Sequence, residues 1–379
     1  MFNDNSEEKT LDSLDDCEYI YPLDNYDSPQ TSLWSSHFLK NLKRTHSHRK
    51  AVRQQAVNNL SKCSELSDID AYQLKRLCSQ QTLVALARDK ETNPMFFYHP
   101  PPSGILEKSY AHEECLKERP NCSLNEEFST LLSLLPSTDD KCIKYFMEIV
   151  SKIRKIDIED KGIWLEDEYK PTRSSKIVSD DDFEKFLLQT LFRHSMIAKQ
   201  CQMIVDYGGL QLLTKIYKLR KNNAAMMCLI ARIILSISVD QKFHDILYSG
   251  GWIGILHEWL QSANIQLSSI AASALANLDY DDRNQPVKYS DGIFLLSPFC
   301  RKNEEFNADI IFIHGIRGSA FRTWRQKDAL NTKKANEEHT KCWPKDWLAE
   351  DTSNMRIIAV DYESEFSEWN VSCSYNKER

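Results

Sequence analysis

The residues best suited to chemistry lie where Ala308-Asp309-Ile310-Ile311-Phe312-Ile313 runs into His314-Gly315-Ile316-Arg317-Gly318. Two glycines three apart let a chain fold back without a Cβ clash and bring main-chain N–H groups close to whatever lies beside the turn. Donors of that kind stabilise the negative charge that grows on a carbonyl oxygen during acyl transfer. In this reading Gly315 allows the turn, Gly318 admits a close approach, and the Ile316 N–H is the candidate donor, so that His314, Gly315, Ile316 and Gly318 together form a candidate oxyanion hole. A plainer account stays open beside it: a tight strand-to-helix turn in which the His314 imidazole pairs with a backbone carbonyl. A phosphate cradle fits less well, because Gly-Ile-Arg-Gly has neither the third glycine nor the Lys-Ser/Thr of nucleotide loops. Acyl transfer also needs a nucleophile, and no Gly-x-Ser-x-Gly elbow occurs in the 379 residues, so no catalytic residue is assigned.

Such a turn must sit on a sheet. Apolar runs at 292–296, 309–313 and 355–361 read as strands, and a helix carrying Trp324 is expected over 319–326, followed by a polar loop through Lys345. Strand, helix and strand with β-branched runs predict a parallel sheet covered on both faces, with 309–313 buried. The His314 turn then lies at the carboxyl edge, where open α/β sheets bind ligands. Trp343, Trp347 and Trp369 are expected in the core, since Trp343 and Trp347 are four apart and can share a helix face.

Upstream the pattern is helical and repeats. Gly208-Gly209-Leu210-Gln211-Leu212-Leu213 recurs as Gly250-Gly251-Trp252-Ile253-Gly254-Ile255-Leu256, a shift of 42. Ile230 to Leu235 aligns with Ala271 to Ala276 at a shift of 41, and Leu187 to Phe192 supplies an earlier copy. A period of about 40–47 residues built from helices and a Gly-rich turn is that of armadillo or HEAT repeats, which need about three copies to bury their faces. More helices are therefore expected at 74–87, at 139–153 behind a Ser137/Thr138 cap, and after a capping box at Ser179. Polar Asn277, Arg232 and Arg193 could form a ladder along the final helices of the repeats.

Composition narrows the rest. The net charge of −7 comes from residues 1–30, where nine acids face the single Lys9. That leader is too poor in apolar surface to fold and is expected to be disordered. Lys40, Lys43, Arg44, Arg49, Lys50 and Arg53 form a basic run, read here as the solvated face of a first helix continuing through Val52, Val57 and Leu60 rather than as a nucleic-acid or membrane patch. Eleven cysteines are scattered without Cys-x-x-Cys spacing; Cys142, Cys201 and Cys228 fall on apolar helix faces, which suits buried free thiols better than a metal site or a disulfide framework. No run reaches the roughly 18 apolar residues of a spanning helix, the best being 226–239, and no cofactor is expected.

Phe312-Ile313-His314-Gly315, the stretch from Gly318 to Asp328, and Cys342-Trp343-Pro344-Lys345-Asp346-Trp347-Leu348-Ala349 together resemble the serine-active-site-containing protein 1 family. The likeness extends from about Arg49 to Trp369. It implies a mainly α chain: an acidic leader (1–35), an armadillo/HEAT-like α-solenoid (36–280), and the truncated N-terminal part of an α/β-hydrolase domain (281–379). It also implies a lipid-directed serine hydrolase or acyltransferase with a phospholipid or acyl substrate, acting in phosphatidylglycerol remodelling and intracellular cholesterol trafficking where mitochondria meet the endoplasmic reticulum, with membrane association in the full-length protein. Two parts of the family pattern are absent from the 379 residues, the hydrophobic N-terminal segment and everything from the nucleophile elbow onward. The expectation is therefore an incomplete product, inactive by itself, whose strand at 309–313 pairs with 355–361 and keeps one free edge. The alternative is a protein-interaction scaffold with an inert hydrolase remnant.

Overall fold

The computed structural model describes residues 36–62, 77–97, 123–140, most of 143–150, 164–165, 176–177, 180–279, 288–300, 306–316, 318–325 and 341–362. The acidic leader, Cys142, Ser179, Arg317, Trp369 and most of the polar loop before Lys345 lie outside the described residues. The chain is mainly α. Its elements are α1 (Ser36–Arg44), α2 (Lys50–Ser61), α3 (Gln80–Ala87), α4 (Leu124–Leu134), an antiparallel pair β1 (Trp164–Leu165) and β2 (Lys176–Ile177), α5 (Asp180–Ser195), α6 (Ala198–Asp206), α7 (Gly209–Arg220), α8 (Ala224–Ser238), α9 (His244–Ser249), α10 (Trp252–Leu260), α11 (Ile265–Leu278), β3 (Ile293–Ser297), β4 (Ala308–Ile313) and β5 (Met355–Val360).

Two helical units follow one another, α6-α7-α8 and α9-α10-α11. Gly208 and Gly251 precede the middle helices with φ of 79° each, a left-handed conformation that costs a residue with a Cβ about 1–2 kcal/mol. The structural equivalent of Gly208 is thus Gly251, 43 residues on, rather than the Gly250 that the sequence alignment pairs with it. The third helices keep the expected shift of 41, and each opens on an asparagine: Asn223 accepts from Met226 N–H, and Asn264 from Gln266 and Leu267 N–H. Helix α5 packs on α8 and α8 on α11, where the buried Ala271, Ala272 and Ala274 let the backbones approach. The apolar 226–239 stretch is this core: Ile230, Ile233, Ile234, Leu235 and Ile237 are fully buried, each contributing about 1.5–3 kcal/mol over exposure. Among the described residues no single helix is long and apolar enough to cross a membrane. Burial pushes the Cys201 and Cys228 thiols up to about 11.

Several local expectations are corrected. The basic run spans two helices, because the Thr45 hydroxyl folds back onto Leu42 O (2.7 Å) and the Arg53 guanidinium holds the carbonyls of Ser47 (2.6 Å) and His48 (2.9 Å). The helical stretch after 140 is capped by Asp140, which accepts from Ile143 N–H at 3.0 Å, and not by Ser137 or Thr138. Residues 319–325 make a single turn instead of a helix. There Thr323 Oγ1 takes the Ser319 N–H (3.0 Å), and Arg325 then bridges to Cys342.

The sheet has the order β3-β5-β4, with β4 parallel and β3 antiparallel to β5, so it is mixed rather than parallel. The expected pairing of 309–313 with 355–361 is present. Strand β4 is nevertheless not buried: Ile311 and Ile313 are 56% and 62% exposed, because among the described residues only the Phe312 face is covered, by Trp324 at 5.3 Å and Trp343 at 5.1 Å between ring centroids. Trp343 and Trp347 are not core residues either, at 38% and 47% exposure. The turn between them, Pro344–Leu348, is π-helical, and the Trp343 ring is engaged by Phe312 and Trp324.

The helical core also carries two buried histidines whose pKa burial lowers, His194 and His257. His194 Nδ1 lies 2.6 Å from Gln200 Oε1, and His257 Nδ1 lies 3.0 Å from Ala87 O, so each ring donates through Nδ1 while neutral. An unfolded ring takes a proton near 6.5, a folded one only at lower pH. The stability these groups contribute is thus full above pH 6.5 and is lost as pH falls below it. Thermal melts are expected to show a falling Tm between about pH 6.5 and 5, and a Tm that rose over that interval would contradict this assignment.

Candidate functional site

Strand register builds the site. Because Ile313 faces Val360 in the parallel β4–β5 ladder, the next residues, His314 and Asp361, meet at the carboxyl edge of the sheet. The His314 side chain is fully buried there. Its Nδ1 lies 2.9 Å from Gly315 O, and its Nε2 receives the Tyr362 N–H at 3.2 Å with Asp361 Oδ1 also 3.2 Å away. The Tyr362 ring stacks on the imidazole (4.3 Å, 7°) and its hydroxyl donates to His314 O at 2.5 Å. Asp361 in turn accepts the Ala320 N–H (2.8 Å) and donates its own N–H to Gly292 O (2.8 Å). A ring so engaged on both nitrogens fixes the turn; it is not presented to solvent as a general base.

The turn itself closes with Gly318 N–H donating to Gly315 O at 2.9 Å, which puts Ile316 at its second position. Ile316 is 65% exposed, and its N–H has no acceptor among the described residues. A Cβ on Gly318 would lie 2.6 Å from Thr323 Oγ1 and 2.9 Å from Gly315 O, so this glycine serves a close approach. At Gly315 a Cβ would meet nothing within 4 Å, and its φ is not positive; packing does not require glycine there.

The family model for the SERAC1 N-terminal domain matches residues 24–100. Protein SERAC1 of Danio rerio is 35% identical over 375 residues, which are 95% of this chain and 54% of that protein. Those of Bos taurus and Homo sapiens are 35% and 34% identical over 342 residues, covering 88% of this chain and 50% of each relative. The chain belongs to the SERAC1 family. It spans about half the length of the curated relatives it matches. No solved structure matches.

Within this SERAC1-family chain the structure brings His314, Gly315, Ile316 and Gly318 together in one turn and adds Asp361 and Tyr362, to which sequence reasoning gave no role. Their signal was available: a polar pair directly after a strand expected to lie beside 309–313 must face the residues after that strand. The helix ladder fares differently. Asn277 and Arg232 do project from neighbouring third helices, but both are engaged by the chain's own 289–291, and Arg193 lies over the Phe192 ring.

Proposed function

We propose that the His314–Gly318 turn is the oxyanion side of a lipid-directed serine hydrolase or acyltransferase site that acts on phospholipid acyl esters. The observation that carries this reading is the Ile316 N–H, which stands at the corner of a turn on the carboxyl edge of a parallel strand pair without an acceptor among the described residues. A tetrahedral oxyanion needs such a preorganised donor. The exposed apolar surfaces of Ile313 and Ile316 suit an acyl chain beside it. Membership of the SERAC1 family supports the serine chemistry, and the same resemblance carries the proposal to phosphatidylglycerol remodelling and cholesterol trafficking at membranes where mitochondria and endoplasmic reticulum meet. Residues 1–379 hold no Gly-x-Ser-x-Gly, so by themselves they are proposed to turn nothing over.

The test compares residues 1–379 with the same residues continued by the remaining sequence of the Danio rerio relative, each incubated with phosphatidylglycerol vesicles and with a fluorophosphonate. Acyl release and covalent labelling are expected only in the continued chain. Labelling of residues 1–379, or a folded continued chain that does neither, overturns the reading.

A further inference from the structure

The most specific polar recognition outside the His314 turn is made by the third helices on the chain's own residues 288–291. Asn277 of α11 reads the main chain of Tyr289 twice: its Nδ2 donates to Tyr289 O at 2.7 Å, and its Oδ1 accepts the Tyr289 N–H at 2.9 Å. One helix back, the Arg232 guanidinium of α8 forks onto Asp291, Nε to Oδ1 and Nη2 to Oδ2, both at 2.7 Å, while its other face lies 4.2 Å from the Phe192 ring of α5. Lys288 donates to Val239 O at 3.0 Å. A carboxamide that pairs with both polar groups of one residue binds extended backbone whatever its side chain, and a bidentate arginine backed by an aromatic ring selects a carboxylate two residues on.

The surface continues past the segment. The shift of 41 that relates the Asn223 and Asn264 caps puts Ser236 of α8 at the position of Asn277, and Ser236 lines an open cavity of about 380 Å3 with Ser195, Met196, Cys201 and Phe243, bordered by Ser290 and Asp291. The groove is thus filled from Asn277 of α11 to Arg232 of α8 and open beside Ser236. The geometry points to a peptide-binding groove across α5, α8 and α11 for an extended segment bearing a carboxylate, with 288–291 as its internal occupant and a partner's segment of the same chemistry as its competitor. The occupant leads straight into Gly292, whose carbonyl holds the Asp361 N–H at 2.8 Å, so exchange of the segment disturbs the support of His314.

The experiment uses the full 379-residue chain and a fluorescent peptide copying 286–292, Pro-Val-Lys-Tyr-Ser-Asp-Gly, followed by anisotropy. Asp291→Asn weakens the internal occupant with little change of shape, and the peptide is expected to bind this variant at least roughly tenfold more tightly than the parent chain. Adding Arg232→Met, or replacing the peptide's aspartate by lysine, is expected to abolish that gain. Equal affinity for parent and Asp291→Asn, or equal binding of the lysine peptide, overturns the proposal. Should the variant fail to fold, the parent chain decides. Its Tyr289 amide, held by Asn277 Oδ1, should exchange hydrogen faster in excess peptide, and an unchanged rate overturns the proposal.

Discussion

Replacing Arg88 by methionine is expected to lower the free energy of unfolding by about 3–5 kcal/mol, because it leaves a buried carboxylate without its partner. Arg88 is the residue that ends α3, and its side chain lies where three parts of the chain meet. Nη1 pairs with Asp279 Oδ2 at 2.7 Å at the end of α11, and Nε donates to Phe299 O at 3.0 Å just beyond β3. The two charged side chains are only 4% and 0% exposed, so no water can replace the guanidinium. The pair itself need not stabilise the fold, since taking both ions out of water offsets most of their attraction. Arg88→Met together with Asp279→Leu should therefore recover most of the loss. Urea unfolding followed by circular dichroism measures both; a single variant within about 0.5 kcal/mol of the parent, the range of ordinary surface changes, would contradict the account.

How much of this was legible before the structure depends on which residues carry it. The third helices were readable because an apolar face recurs at a shift of 41, and the asparagine that caps each copy was a further local signal that the reading did not use. Strand positions were readable from their short apolar, β-branched runs, and the β4–β5 pairing agrees with the order that the family resemblance implies. Exposure was not. Ile311 and Ile313 sit in a run that reads as buried, but burial depends on what lies over each face, and among the described residues only the Phe312 face of β4 has aromatic cover. The 319–325 stretch shows a different failure, since the Thr323 hydroxyl takes a main-chain donor that a helix leaves free, and side-chain competition of this sort is invisible to apolar periodicity. At the candidate site the motif was legible but its supports were not. Asp361 and Tyr362 become partners of His314 only through a register that pairs Ile313 with Val360.

The second large effect concerns Ile316. If its N–H receives the developing oxyanion, removing that one donor should lower kcat by roughly 100- to 1000-fold while leaving substrate binding largely intact. Proline removes it cleanly. Ile316 occupies the second position of the Gly315–Gly318 turn, where proline is favoured, and the preceding Gly315 has the backbone freedom that a residue before proline requires. Because Ile316 is 65% exposed, little packing is lost, and the fold should change by no more than about 0.5 kcal/mol. The decisive measurement is kcat and KM for phosphatidylglycerol hydrolysis by the continued chain with Ile316→Pro. The account predicts a kcat fall in that range at nearly constant KM and unchanged Tm; a folded variant with parental kcat would contradict it.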